Sequence, residues 1–86
     1  MNYYVEPIGD DANKIIAGFL SMVGDSIEPE IATLKDRNGM DHSVYVVNDH
    51  SKITFLKKSK NIKFNKDFKV YVKISGVLVP SFIDNK

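Results

Sequence analysis

Residues 31–47 read IATLKDRNGMDHSVYVV and carry the clearest turn signal in the chain. Two runs of strand-forming residues, Ile31–Lys35 and Ser43–Val47, lie on either side of Asn38-Gly39. Asn and Gly both tolerate the positive φ angles that a tight hairpin turn requires. This stretch therefore predicts an antiparallel β-hairpin.

A strand-like period of two continues towards the C-terminus. It predicts strands at Lys52–Lys57, Ile62–Phe64, Phe68–Ile74 and Val77–Val79, separated by short polar turns. Pro80 has no N–H group for a ladder, so it places the last strand at a sheet edge or ends it there.

Upstream of the hairpin, the apolar residues follow a helical period. Tyr3–Val5 predicts a short strand, and Asp10 is a good N-cap for the helix that follows it. We expect this helix to end at Gly24, because glycine accepts the left-handed conformation beyond a helix C-terminus. The opposite side of the helix has unusually small side chains for a solvent face, which indicates either the close approach of another helix or an ordinary thin solvent face. This side carries Lys14, Ala17, Gly18 and Ser21. The apolar stripe consists of Ala12, Ile15, Ile16, Phe19, Leu20 and Val23.

These elements predict one α+β domain over residues 1–86, with an N-terminal helix followed by a small antiparallel sheet or SH3-like barrel. The chain has no cysteine, so disulfides and thiolate metal sites are excluded and an intracellular setting is favoured. It starts without the basic and apolar regions of a signal peptide, and its apolar runs are far shorter than the ~20 residues that span a bilayer. We expect a soluble, cytoplasmic protein with no membrane partner.

Residues suited to catalysis or metal binding are few. The two histidines, His42 and His50, lack the spacing of metal ligands, and consecutive residues such as Asp49-His50-Ser51 cannot adopt the geometry of a hydrolase triad. The five glycines form no phosphate-binding loop. The sequence therefore predicts no catalytic residue, no metal and no cofactor, and it favours a binding protein over an enzyme.

Acidic and basic residues are segregated along the chain, although the net charge is only +1. Residues 1–51 have a net charge of −6, whereas residues 52–73 hold eight lysines against Asp67 and have a net charge of +7. We call residues 52–73 the basic segment. Like charges crowded into one foldable segment raise its energy unless counter-charges or a polyanionic partner relieve the repulsion.

The basic segment predicts a nucleic-acid interface. Alternation along the strand places Lys69, Tyr71 and Lys73 on an outward face of the sheet, where lysines neutralise phosphates and a tyrosine stacks on a base. RNA is favoured because a small sheet surface with one aromatic residue suits single strands better than duplex grooves. Two alternatives stay open, a solvated lysine face that protects a sheet edge and an interface for an acidic protein. The candidate nucleic-acid-binding residues are Lys57, Lys58, Lys60, Lys63, Lys66, Lys69, Tyr71 and Lys73.

The order of elements resembles that of the Sm/Hfq-like small barrels, in which a helix precedes five bent strands. Asn48–Leu56 is similar to the first family motif, an Asp in a turn followed by a strand, although Ile53 stands where the family has Asn. Val72–Val79 is similar to the second motif, a strand, a glycine and a further strand. The resemblance implies RNA binding near Asp49 and the Lys73–Gly76 loop, and assembly into a homo-oligomeric ring.

The composition resembles that of small accessory proteins of large lytic bacteriophages, because eleven lysines stand against one arginine and Asn and Ile are frequent. These residues have AT-rich codons, so genome bias alone can produce the lysines. The resemblance implies a protein that antagonises a host nuclease or toxin defence system. The alternative function is an inhibitor that docks directly on a host protein, with the lysines as solvated surface.

Overall fold

The computed structural model describes residues 2–23 and 30–81, which form five strands and two helices. In chain order these are β1 (Tyr3–Pro7), α1 (Asp10–Val23), β2 (Glu30–Lys35), β3 (Asp41–Val47), α2 (His50–Lys58), β4 (Phe68–Ile74) and β5 (Val77–Pro80). The predicted α+β class is confirmed.

The first strand of the chain lies in the middle of the sheet. The strand order is β2-β3-β1-β4-β5, and all neighbouring strands are antiparallel. Val5 pairs with Tyr45 of β3 on one side and with Val70 of β4 on the other. The prediction that the fold starts with a helix is wrong, since β1 precedes α1. β1 is the central strand because it pairs with both β3 and β4, and its residues Tyr3, Tyr4 and Val5 are buried.

The predicted β2–β3 hairpin is confirmed. Its strands pair from Glu30 opposite Val46 to Lys35 opposite Asp41. Gly39 has a φ angle of 81°, which glycine adopts without steric cost. At the other end of the sheet, β5 is an edge strand that ends at Pro80, as the missing N–H group predicts.

The sheet curls into a half-barrel, and both of its faces bury apolar residues. A bridge between Asp36 and Leu78 brings the β2 edge close to the β5 edge. The inner face of this curl buries a cluster of Tyr4, Val44, Tyr71 and Leu78. The helix face is covered by α1 and α2, and its most buried members are Val5, Ile16, Ile53, Leu56, Ile62 and Phe68.

Helix α2 replaces the strand that we predicted at Lys52–Lys57. Its N-cap is Asp49, whose carboxylate accepts the backbone N–H of Ser51 at 2.9 Å. Ile53 and Leu56 are both buried, whereas Phe55 is 62% exposed. A strand would place residues 53 and 55 on the same face, so the observed burial requires the helical period.

The strand predicted at Ile62–Phe64 is also wrong, because this region is a connection that holds only a single bridge between Phe64 and Phe68. The predicted helix end at Gly24 falls outside the described residues. Within residues 2–23 and 30–81, no helix is long and apolar enough to cross a membrane.

Candidate nucleic-acid interface

The basic segment runs through three parts of the fold. Lys57 and Lys58 occupy the last turn of α2, where the negative end of the helix dipole favours cations. The connection to β4 carries Lys60, Lys63 and Lys66, which are all exposed. Two further lysines, Lys69 and Lys73, lie in β4 and are exposed as well.

A tight turn organises the connection before β4. The backbone N–H of Asp67 donates to the carbonyl of Lys63 at 2.8 Å, and the Asp67 carboxylate accepts the backbone N–H of Lys63 at 2.8 Å. Asn65 at the turn has a positive φ of 69°, which Asn tolerates better than most residues. The one acidic side chain of the basic segment therefore caps backbone groups and leaves the ammonium groups of this turn without a carboxylate.

Lys57 differs from its neighbours. Its Nζ atom is buried and lies 4.2 Å from the centroid of the Phe64 ring, which packs against the helix-face core. This is the geometry of a cation–π contact. Lys57 therefore contributes to packing, and its role in nucleic-acid binding stays a prediction that this buried position does not support.

Tyr71 is buried rather than presented for stacking. It shares the inner face of β4 with Lys69 and Lys73, as the alternation predicts, but the curl of the sheet leaves only 6% of it exposed. Its hydroxyl donates to Glu6 Oε1 at 2.8 Å. Burial, followed by this bond to Glu6, raises the pKa of Tyr71 above its ordinary value. The predicted exposure of the Tyr71 ring is therefore wrong, while base stacking by Tyr71 stays a prediction.

The hydroxyl of Tyr71 belongs to a polar network that the sequence did not reveal. His42 Nδ1 lies 3.0 Å from Glu6 Oε2, and His42 Nε2 lies 2.8 Å from Asp36 Oδ2. The bonds to Asp36 and Glu6 raise the pKa of His42 above 6.5. The bond from His42, with backbone N–H groups of the hairpin turn, lowers the pKa of Asp36 below 3.8. An imidazolium that donates from both ring nitrogens fits this geometry.

This network determines whether the lysines of β4 are neutralised by nearby carboxylates. Glu6 is paired with Lys69 in the β1–β4 register, so their side chains share one face of the sheet. The Glu6 carboxylate nevertheless bonds to His42 and Tyr71, and no ion pair with Lys69 forms. Among residues 2–23 and 30–81, the lysines from Lys58 to Lys73 make no ion pair with a carboxylate.

No protein-family model, curated protein or solved structure matches this chain. The resemblance to the Sm/Hfq-like barrels therefore stays a prediction, and the stretch that resembles their first motif, Asn48–Leu56, leads into α2 and most of it is helical. In the described part of the chain, no group of three or more His, Asp or Glu side chains is arranged to hold a metal ion.

Proposed function

We propose that this protein binds RNA or another nucleic acid through its basic segment, without catalysing a reaction. The binding residues are the exposed lysines of this segment from the end of α2 onwards, namely Lys58, Lys60, Lys63, Lys66, Lys69 and Lys73. Lys57 and Tyr71 are not among them because both are engaged inside the fold.

The observation that supports this proposal most directly is that Glu6 bonds to Tyr71 and His42 and not to Lys69. Glu6 is the carboxylate best placed to neutralise β4, yet it accepts hydrogen bonds from Tyr71 and His42. His42 likewise holds Asp36. Acidic groups on the inner face are thus compensated within the fold, and Lys69 and Lys73 remain available to phosphates. Ammonium groups bind phosphates as mobile point charges.

Because both aromatic rings of β4, Phe68 and Tyr71, are buried, affinity in this proposal comes from phosphate neutralisation and carries little sequence preference. Each lysine that neutralises a phosphate of a single strand releases counterions, and log K then falls by about 0.7 per contact against log salt. Steep salt dependence is therefore the expected signature of this interface.

The test compares two double variants by fluorescence anisotropy with a labelled single-stranded RNA. Lys69→Gln/Lys73→Gln removes two proposed contacts, and we expect the slope of log K against log salt to become shallower by about 1.4. The matched control, Lys35→Gln/Arg37→Gln, removes two exposed cations of the β2–β3 hairpin and should leave the slope unchanged. Equal slopes for all three proteins would refute the role of β4.

A second candidate function is direct docking on a host protein, and exposed apolar side chains favour it. Ile31 on edge strand β2 is 61% exposed, and Phe55 on α2 and Met40 beside the hairpin turn are also exposed. In this proposal the setting is the one implied by composition, a phage protein that inhibits a host defence. A pull-down that returns the same protein partner after nuclease treatment, and that Ile31→Ser or Phe55→Ser abolishes, supports docking over nucleic-acid binding.

A further inference from the structure

A pocket of about 300 Å³ lies between α1 and α2, on the helix side of the sheet. Its apolar wall consists of Ile15 and Phe19 from α1, Leu56 from α2 and Ile62 from the following connection. Small-molecule sites are typically mostly apolar clefts of roughly 300–1,000 Å³ with a few polar groups, so this pocket falls at the small end of that range.

Gly18 lines this pocket, and the fold itself does not require a glycine there. A Cβ atom added at Gly18 meets no atom within 4 Å apart from its chain neighbours and the adjacent backbone of α1. Glycine inside a helix costs about 1 kcal/mol relative to alanine. Neither close packing nor a positive φ angle explains Gly18, whereas a longer side chain at this position would project into the pocket.

The polar groups of the pocket are suited to an anion. Lys14 lines it and makes no ion pair with any carboxylate among the described residues. Ser59 and Asn61 lie on the opposite side, after the end of α2, and the Ser59 hydroxyl oxygen accepts the backbone N–H of Asn61 at 3.1 Å. No acidic side chain from residues 2–23 and 30–81 lines the pocket, so a carboxylate near Lys14 has a cation to pair with and no like charge among these lining residues to oppose it.

We propose that this pocket binds a small amphiphilic carboxylate, with its apolar body between α1 and α2 and its carboxylate at Lys14. A cavity of roughly 150 Å³ is enough to hold benzene, so this volume suits a body of about two fused rings or an alkyl chain of similar size. The site lies apart from the exposed lysines of β4, although Ser59, Asn61 and Ile62 alternate in sequence with Lys58, Lys60 and Lys63 of the basic segment. Its apolar contacts do not require that a nucleic acid binds to β4.

The probe is 2-naphthoate, titrated into the full chain and followed by two-dimensional NMR of backbone amides. We expect saturable shifts of the amides of Ile15, Phe19 and Leu56. The cation 2-naphthylmethylamine should bind at least about tenfold more weakly, because it loses the charge-assisted contact to Lys14 and gains a repulsion. Equal binding of the two probes would overturn the assignment of an anionic ligand.

Two variants at one position then test the pocket itself. Gly18→Leu fills the space and should abolish binding of 2-naphthoate, whereas Gly18→Ala adds only a methyl group and should retain it. Both changes improve helix propensity, so far-UV circular dichroism should show an intact fold for each. Unchanged affinity in a folded Gly18→Leu protein would overturn the site.

Lys14→Gln separates the charge from the apolar contacts. This change should weaken 2-naphthoate about tenfold and leave neutral 2-naphthylmethanol unaffected. An equal loss for both probes would contradict the pairing of Lys14 with the carboxylate. The Lys69→Gln/Lys73→Gln protein should bind 2-naphthoate like the wild type, so failure of the nucleic-acid proposal leaves this result interpretable.

Discussion

Loss of the charge on His42 should destabilise the half-barrel. The His42 ring of β3 connects three parts of the fold. Glu6 lies in β1, Asp36 lies in the hairpin turn directly after β2, and the Tyr71 ring of β4 lies 5.5 Å from the His42 ring. A neutral imidazole donates only one hydrogen bond, so deprotonation leaves one of the two carboxylates without its donor. Stability should therefore depend on pH in the range where His42 titrates.

The sign of this dependence follows from the two shifted groups. The pKa of His42 is raised from 6.5, so its contribution to the free energy of unfolding is complete below pH 6.5 and is lost as pH rises through the folded-state pKa. The pKa of Asp36 is lowered from 3.8, so its contribution is present above pH 3.8 and is lost as pH falls through its folded-state pKa. Both contributions are complete between pH 3.8 and pH 6.5.

The magnitude comes from the hydrogen bonds in the structure. A hydrogen bond to a charged group contributes about 1.5–3 kcal/mol, and the 18% exposure of the His42 side chain favours the lower end. We expect His42→Gln to lower the free energy of unfolding by about 1.5 kcal/mol near pH 5.5. The difference from wild type should shrink as pH is raised from 5.5 towards about 9, because wild-type His42 loses its proton as pH rises through its raised folded-state pKa.

Urea unfolding followed by far-UV circular dichroism measures this difference at both pH values. His50→Gln is the matched control, because His50 is exposed and, among the described residues, hydrogen-bonds to no carboxylate through its ring. A His42→Gln penalty of the same size near pH 5.5 and pH 9 would refute the reasoning, since it would show that shape and not charge accounts for the effect.

The remaining predictions concern single contacts. Tyr71→Phe keeps the buried ring and removes the hydroxyl that donates to Glu6, so the free energy of unfolding in urea should fall by about 1 kcal/mol. RNA affinity measured by anisotropy should stay the same. A large loss of affinity would show that Tyr71 contributes to the nucleic-acid interface. Asp49→Ala removes the N-cap of α2 and should cost about 1 kcal/mol in the same assay, and no change would mean that α2 does not depend on its cap. Gly18→Ala should stabilise α1 by the ~1 kcal/mol expected of helix propensity and so raise the melting temperature by about 4–8 °C. A lower melting temperature would contradict the open space found beside Gly18.

Local chemistry made parts of the fold predictable. The hairpin turn is marked by Gly39, whose positive φ angle glycine adopts without steric cost, and the Asn-Gly pair is recognised from neighbours in sequence alone. Phe68–Ile74 was predicted as a strand because its apolar residues alternate, and the structure places β4 at the same bounds. Pro80 predicted an edge strand for an equally local reason, the missing backbone donor.

Elements decided by distant contacts were not predictable in this way. The stretch from Lys52 to Lys57 alternates like a strand, and only the packing of Ile53 and Leu56 under α1 shows the helical period. Tyr71 shares a face with two exposed lysines, so the alternation indicated an exposed ring. The curl that brings Leu78 towards Asp36 buries that ring, and a pattern of period two contains no information about sheet curvature.

The polar network of Glu6, His42, Asp36 and Tyr71 could not be predicted from the sequence, because it also depends on distant contacts. His42 is 36 residues from Glu6, and Tyr71 is 65 residues from it. These residues meet because β1 lies between β3 and β4, an order that the sequence did not indicate. A signal was nevertheless present, because Glu6 and His42 are polar residues in strand segments otherwise rich in apolar ones. Such residues are candidates for buried hydrogen-bonded networks.

Salt titration of RNA binding tests the central claim that the exposed lysines of the basic segment are uncompensated within the fold. Six phosphate contacts give a slope of log K against log salt near −4, at about 0.7 per contact. We expect a slope of about −4 for the wild-type protein with a single-stranded RNA. A slope near zero, or no detectable binding at low salt, would contradict the account.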